Sequence, residues 1–463
     1  MFIGRKKEKE DIISHLSDHR FEYLLIYGMR RVGKTKLINE CLKESQAKVI
    51  SYTFRDINTP TNLKEFISYI PQCFNESYLS FNDLKGCLTY LCEKAKQEDI
   101  ILFIDEYPFL RREDRGIDSY FQEIKNIYED SAHLKIIFCG SYAHIMFDMI
   151  EASSPLYGRF SYILNLLPFD YYEASLFMGN ISNNDKFKYY ACFGGLGFTL
   201  ANIDFTQSFE DNLKHLLIEP DALFEREALS IINQDVNKIP EAKFVLECIG
   251  QGLHKYADIN TAFNSIQAGQ SVAYLLNKLQ SLNIIEKVTV INEEKKKSDL
   301  YVIKDNLLDF YYTFLSHSLN ERSNLGSDAF YERIKESIEK NYLAKAFEDV
   351  SKEFLIRINR HHLLKSPFSL IGRLIYHDKK QKKNGELDVV LKDDKGYIDI
   401  ECKYYNRPIS LKDYNEEKAQ LDNLGLPYRM GFISKMGFDD TYPLDTLETI
   451  RYSLDDFYKD NIA

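Results

Sequence analysis

Residues 28 to 35, within the stretch YGMRRVGKTKLI, run glycine, four residues, glycine, lysine, threonine. That order suits a polyphosphate. Gly28 and Gly33 permit backbone angles that turn successive N–H groups inward around an anion. A helix starting near Lys34 would add its positive dipole end. The Lys34 ammonium can reach the outer phosphates of a nucleoside triphosphate, and the Thr35 hydroxyl is a hard oxygen for Mg²⁺. The candidate nucleotide-binding stretch is therefore Gly28, Arg30, Arg31, Val32, Gly33, Lys34, Thr35 and Lys36, with ATP and Mg²⁺ the expected ligands. The competing reading is a glycine-rich turn that binds nothing.

Hydrolysis needs more than a phosphate cradle. In DIILFIDEYPFL, residues 99 to 110, an apolar run delivers Asp105 and Glu106 to its end. Asp105 is suited to hold Mg²⁺, and Glu106 to orient or deprotonate an attacking water; the bland alternative is a carboxylate pair capping the next helix. A further apolar run, LKIIFCGSYAHIM, ends at Ser141, whose hydroxyl can meet a γ-phosphate or that water. Arg159, in PLYGRFSYI, is either a charge-neutralising arginine at the same edge or a solvated loop residue.

A second carboxylate group lies near the far end, in NGELDVVLKDDKGYIDIECKYYNRPIS. Alternation sets Leu387, Val389 and Leu391 against Glu386 and Asp388, and Ile398, Ile400 and Cys402 against Asp399, Glu401 and Lys403. A hairpin built this way gathers Asp388, Glu401 and Lys403 on one side. An upstream helix carries Glu348 among apolar neighbours. Two carboxylates can hold Mg²⁺ or Mn²⁺ to polarise a phosphodiester, with the lysine offsetting charge. His377 and the KKQKK cluster at 379–383 can contact phosphates or form a loop. The plain alternative is a hairpin with one solvated face.

These groups need elements to position them. Tyr23–Tyr27, Ile100–Ile104 and the run before Gly140 are continuous apolar segments, the pattern of strands covered on both faces. Leu37, Ile38, Cys41 and Leu42 repeat at helical spacing after the glycine loop. Residues 205 to 245 have mostly helical period. From Ser271 the order is helix, strand, turn, strand, helix, with Tyr274, Leu275, Leu276, Leu279 and Leu282 as the expected buried stripe. Lys287–Asn292 and Asp299–Lys304 are the expected ribbon, with Lys295, Lys296 and Lys297 at its tip. That is a winged-helix layout, which can serve DNA reading or an intramolecular contact. The expected boundaries are 1–204 for a nucleotide domain, 205–317 for helices and winged helix, 318–335 for a linker and 336–463 for the last domain.

The chain has 463 residues and a net charge of −11. A uniformly acidic surface repels phosphate backbones, so the chain as a whole does not read as a general nucleic-acid binder. No run reaches the ~18 apolar residues of a membrane helix. The charged start, MFIGRKKEKEDII, does not read as an export signal. Eight cysteines lack metal-clip spacing, as expected of reduced thiols in the cytoplasm.

Taken in order, FIGRKKEKE, GMRRVGKT, LFIDEYPFL, FCGSYAHIM, PLYGRFSYILNLLPFDYYEA and FGGLGFTL resemble the archaeal-type ATPases, a branch of the STAND class of P-loop NTPases. The resemblance implies an α/β fold: a five-stranded parallel P-loop sheet of the ASCE type with a helical subdomain, a winged helix, and an α/β domain at the end. It places Gly4 and Arg5 beside the nucleotide base, makes Glu106 the hydrolytic base and sets Ser141 at the sensor position. Gly197 stands where the family has a proline walling the adenine pocket. The region 336–463 resembles the PD-(D/E)XK nuclease fold, which implies Asp388 and Glu401 as metal ligands, Lys403 as catalytic lysine and Glu348 as an accessory acid. The expected function is an ATPase whose nucleotide state controls a nuclease-like effector acting on DNA or RNA, with nucleotide-dependent self-association open. The alternative is a non-cutting ATP-dependent switch. A helicase-like motor is disfavoured, because the chain shows no second motor domain.

Overall fold

The computed structural model describes residues 2–236, 240–264, 271–288, 290–291, 300–378, 383–424, 428–443 and 450–459. The chain forms two compact units, Met1–Pro168 with Leu196–Phe198, and Phe169–Gly195 with Thr199–Ala463.

The first unit is a parallel sheet of β1 (Glu22–Tyr27), β2 (Lys48–Thr53), β3 (Ile100–Asp105), β4 (Leu134–Gly140) and β5 (Tyr162–Asn165), in the order β2-β3-β4-β1-β5. Burial follows position. Central strands β1, β3 and β4 are buried at every residue, whereas the edge strands β2 and β5 alternate. A strand covered by helices on both faces needs an uninterrupted apolar run, and an edge strand does not. On one face, Leu88, Leu91, Phe121 and Ile124 from helices Leu84–Ala95 and Ile117–Tyr128 pack with Leu102, Ile136 and Phe138 of the sheet. Because β4 intervenes between β1 and β3, the ends of all three strands converge on one edge.

The second unit begins with helices that include Asn183–Phe193, Leu223–Val236 and Pro240–Gly250. Helix Val272–Ser281 follows, then β6 (Ile285–Lys287) paired antiparallel with β7 (Tyr301–Ile303). Of the expected ribbon 287–292 and 299–304, the described pairing covers Ile285–Lys287 with Tyr301–Ile303, Val290 bridges Arg373, and the tip with Lys295–Lys297 lies outside the described residues. Leu275, Leu276, Leu279 and Leu282 are buried, but Tyr274 is half exposed. It sits one residue before Leu275, about 100° round the helix and off the stripe.

The polar stretch 318–335, read as a linker, is mostly helical: Leu319–Leu325 and the first turns of Ser327–Ser337. Arg322 is 1% exposed, donating to the Ile218 carbonyl and the Glu225 carboxylate. A charge satisfied in this way can sit in a core, so polarity alone misplaces it.

The last sheet runs β12-β11-β10-β9-β8, comprising β8 (Leu370–Asp378), β9 (Lys383–Asp393), β10 (Gly396–Lys403), β11 (Tyr428–Ser434) and β12 (Arg451–Ser453). β8, β9 and β10 are antiparallel; β11 and β12 join parallel. The crossover from β10 to β11 carries helix Leu411–Leu424, and helix Leu343–Arg360 also packs on β10. The strict alternation expected for β9 is broken. Gly372 faces Val390, yet Leu374 faces Leu387, so three steps on β9 match two on β8. This bulge at Asp388-Val389 returns Leu387 to the face of Val390, and both join one apolar cluster.

Candidate functional site

β1 runs straight into the glycine loop, and the loop into helix Lys34–Leu42. Gly28 has φ 150°, and a Cβ there would meet the Leu166 carbonyl oxygen at 2.2 Å, so no larger residue fits. Gly33 caps the helix at φ 105°, and Arg31 between them also takes a left-handed φ of 63°. Val32 is buried, while Arg30, Thr35 and Lys36 are exposed. Lys34 is 6% exposed, and its ammonium donates to the carbonyls of Gly28 and Met29 at 3.0 and 2.9 Å. Burial pushes its pKa down, with Glu106 and Asp105 acting the other way.

The carboxylate pair meets this loop directly. Asp105, last residue of β3, accepts from the Thr35 hydroxyl at 2.9 Å and from the Glu106 amide at 3.0 Å. Glu106 turns out of the strand with φ 51°. Its carboxylate accepts from the Ser141 hydroxyl at 2.9 and 3.0 Å and lies 3.4 Å from the Ser141 amide. This contact follows from sheet order, since Ser141 directly follows β4. The turn is pinned from behind: the Tyr107 hydroxyl and Arg111 Nε both donate to the fully buried Asp118, each at 2.7 Å.

Arg5 has φ 58°, is buried, pairs with Glu8 at 3.3 Å and donates to the Leu167 carbonyl. It thus holds the segment whose Leu166 carbonyl covers Gly28, with Gly4 (φ 69°) preceding it. Beside Gly197, the Phe198 amide donates to the Arg31 carbonyl at 3.3 Å, and the Arg31 guanidinium lies 4.4 Å above the Phe198 ring. Phe198 was not singled out from the sequence; its place after a glycine pair was the available signal.

Arg159 does not join them. Its guanidinium donates to Asn126 at 3.2 Å, and Ser161, two residues on, donates to the Tyr23 carbonyl near the start of β1. It therefore sits at the edge of the sheet opposite the glycine loop. The expectation overlooked that Arg159 precedes β5, and a parallel strand is entered at the edge away from the loop.

In the second unit, Lys403 pairs with Glu401 at 3.0 Å and with Glu417 at 2.7 Å. Burial works against its charge, but the two carboxylates outweigh it and hold its pKa above the usual lysine range. Glu401 is raised by burial, with Lys403 opposing and Glu417 and Asp388 adding. Glu348 is pushed up to about 8 by burial and then by Asp388; Asp399 reaches about 8 by burial and then by Glu401, Glu417 and Asp388. Arg373, nearly buried on β8, has Nε 3.6 Å from Asp388. The structure thus draws Glu348, Asp388, Glu401 and Lys403 into one electrostatic neighbourhood. Sequence reading missed Glu417 and Arg373, which come from other elements; the side chain of His377 and residues 379–382 lie outside those described.

Both sites fit hard-oxygen chemistry. The loop needs glycine, buries an ammonium against its own carbonyls, and sets a hydroxyl beside a carboxylate, a donor set for a triphosphate and Mg²⁺. The second cluster offers carboxylates that raise one another, the charge excess a divalent cation relieves.

No helix among the described residues is long and apolar enough to cross a membrane. Residues 2–203 match the family described as an ATPase domain predominantly from Archaea, and residues 311–419 a family of archaeal and bacterial proteins of unknown function. The chain is 28% identical over 426 residues to an uncharacterized protein of Methanocaldococcus jannaschii, covering 91% of each. Among solved structures it is similar to a Walker-type ATPase of Pyrococcus abyssi, at 19% identity and TM-score 0.49, covering 67% of this chain and 96% of that one. It is also similar to the ORC2 protein of Aeropyrum pernix, solved in ADPNP–ADP complexes, at 12% identity and TM-score 0.46, covering 69% and 94%. Residues 2–203 are thus similar, by family model, to an ATPase domain found predominantly in Archaea.

Proposed function

We propose that the chain is an ATP-driven switch that hydrolyses MgATP in its first unit and thereby controls a metal-dependent, nuclease-like second unit in the cytoplasm. The observation that carries the first half is the closure of Thr35 on Asp105 beside Lys34, with Glu106 clasped by Ser141. In this reading the loop amides and Lys34 hold the β- and γ-phosphates. Thr35 and Asp105 would hold Mg²⁺, which would neutralise charge on the phosphates. Glu106 accepts the proton of the attacking water, and Ser141 fixes the carboxylate that receives it. Arg5 and Phe198 line the approach to the base. Calorimetry with MgATP tests this: Lys34→Ala should lose measurable affinity, and wild-type affinity in that variant would overturn the reading.

In the second unit, Asp388 and Glu401 are the proposed metal ligands, Lys403 the catalytic lysine and Glu348 the accessory acid, with DNA the proposed target. A divalent ion there would polarise a phosphodiester. Metal-dependent nicking of plasmid by wild-type protein, lost in Asp388→Ala and Glu401→Ala, is the expected result. One observation favours the second reading, a non-cutting switch: Lys403 is engaged by Glu417 as well as Glu401. Absence of nicking under every nucleotide and metal condition would select that reading.

A further inference from the structure

At the edge of the first sheet away from the glycine loop, two histidines converge on one carboxylate oxygen. His19 Nδ1 lies 2.9 Å from Asp99 Oδ1, and His133 Nδ1 lies 3.3 Å from the same atom. The rings are 5.5 Å apart, and one ligand atom from each of the three residues lies within 4.8 Å of the others. We propose that His19, Asp99 and His133 form a binding site for a divalent transition-metal ion, zinc in type, with an open coordination position.

The placement is set by the backbone. Ile100 of β3 pairs with Leu134 of β4, so Asp99 and His133, each one residue upstream, enter the sheet side by side. Their main chains are held: the Lys48 amide donates to the Asp99 carbonyl at 2.8 Å, Ile100 to His133 at 3.0 Å, and His133 to Ala95 at 2.8 Å. His19 comes from the turn between helix Lys6–Leu16 and β1. Its neighbour Asp18 is anchored by Lys135, a nearly buried residue of β4. All three ligands therefore ride on fixed segments.

The distances suit an ion as well as a proton. Metal bonds of about 2.0–2.1 Å at tetrahedral angles put donor atoms about 3.3 Å apart. Two imidazole nitrogens and one carboxylate oxygen select zinc, cobalt or nickel over magnesium, which prefers all-oxygen shells. Three protein ligands leave a fourth position to water or another donor, and the side chains are open enough for entry, His19 at 72% and His133 at 46% exposure. Binding would tie the turn after the first helix to the entries of β3 and β4, so the ion would stabilise this unit by mass action. Acid should weaken it, because imidazole must shed its proton to ligate.

Cobalt(II) is the probe. Titrated into nucleotide-free full-length protein, it should produce a visible band of tetrahedral or five-coordinate type at one equivalent, and zinc should displace it. His19→Ala and the His19→Ala/His133→Ala pair should lose the band and the zinc-dependent rise in melting temperature. Lys34→Ala and Asp388→Ala, which alter the other two sites, should keep both. His19 is largely exposed, and unchanged circular dichroism would show that its variant folds. No cobalt band and no heat with zinc in the wild type would overturn the proposal, as would equal binding by the double-histidine variant.

Discussion

The two carboxylate clusters of this chain are built in opposite ways. At the ATPase site, Asp105 and Glu106 leave the end of a parallel strand, and each is met by a hydroxyl, from Thr35 in the first turn of the helix after the glycine loop or from Ser141 just past β4. In the second unit, Glu348, Asp388, Asp399 and Glu401 crowd around a bulged sheet, and their own lysine and arginine offset only part of the charge. The first arrangement holds side chains still for a ligand that brings its own charge. The second gathers carboxyl groups that burial and mutual repulsion make slow to ionise.

The sharpest way to break this comparison is Glu106→Gln. Turnover of ATP should fall by about 10²–10⁴-fold while MgATP affinity persists, since only the proton acceptor is removed. Equal loss of affinity would mean that Glu106 organises the loop instead. In the second cluster, Glu401→Gln should weaken Mn²⁺ binding by roughly 10–100-fold, read by calorimetry on a Lys34→Ala background so that the nucleotide site is silent. Unchanged Mn²⁺ affinity would make the cluster structural.

Several carboxyl groups of the second unit are raised in pKa. Glu353, partly buried and accepting from the Tyr190 hydroxyl, is pushed up from 4.5 to about 8 by desolvation and then by Asp170, alongside Glu348 and Asp399 at about 8. Between these limits the folded chain keeps protons that the unfolded chain has released. Stability from these groups is therefore full below about pH 4, declines as pH rises through the window to about 8, and then levels off. Glu353→Gln should flatten part of that decline in urea unfolding of the whole chain, and millimolar Mg²⁺ should flatten the part due to Glu348 and Asp399. The smallest expected effect is that of Ser141→Ala. Losing one hydroxyl to a carboxylate should slow ATP turnover by about tenfold or less, with binding intact.

Much of the fold was legible from local pattern. Continuous apolar runs marked β1, β3 and β4 because covered strands cannot alternate, and the glycine spacing marked the loop because only glycine tolerates the Leu166 carbonyl at 2.2 Å. Polarity and alternation failed where a distant partner changed their meaning. Arg322 is polar yet buried, because Glu225 awaits it. Leu387 and Val390 share a face only because β8 forces a bulge. Tyr274 left its stripe because the helix turned it outward.

The sequence by itself determined which segments become strands and helices, and where a phosphate-binding loop must lie, because these depend on neighbours a few residues apart. Tertiary structure alone decided who meets across elements. It set Ser141 against Glu106 by inserting β4 between β1 and β3, sent Arg159 to the far edge, brought Glu417 onto Lys403, and aimed two histidines at Asp99. Strand order and register are long-range choices, made by packing whole faces against each other, and no short window of residues contains them.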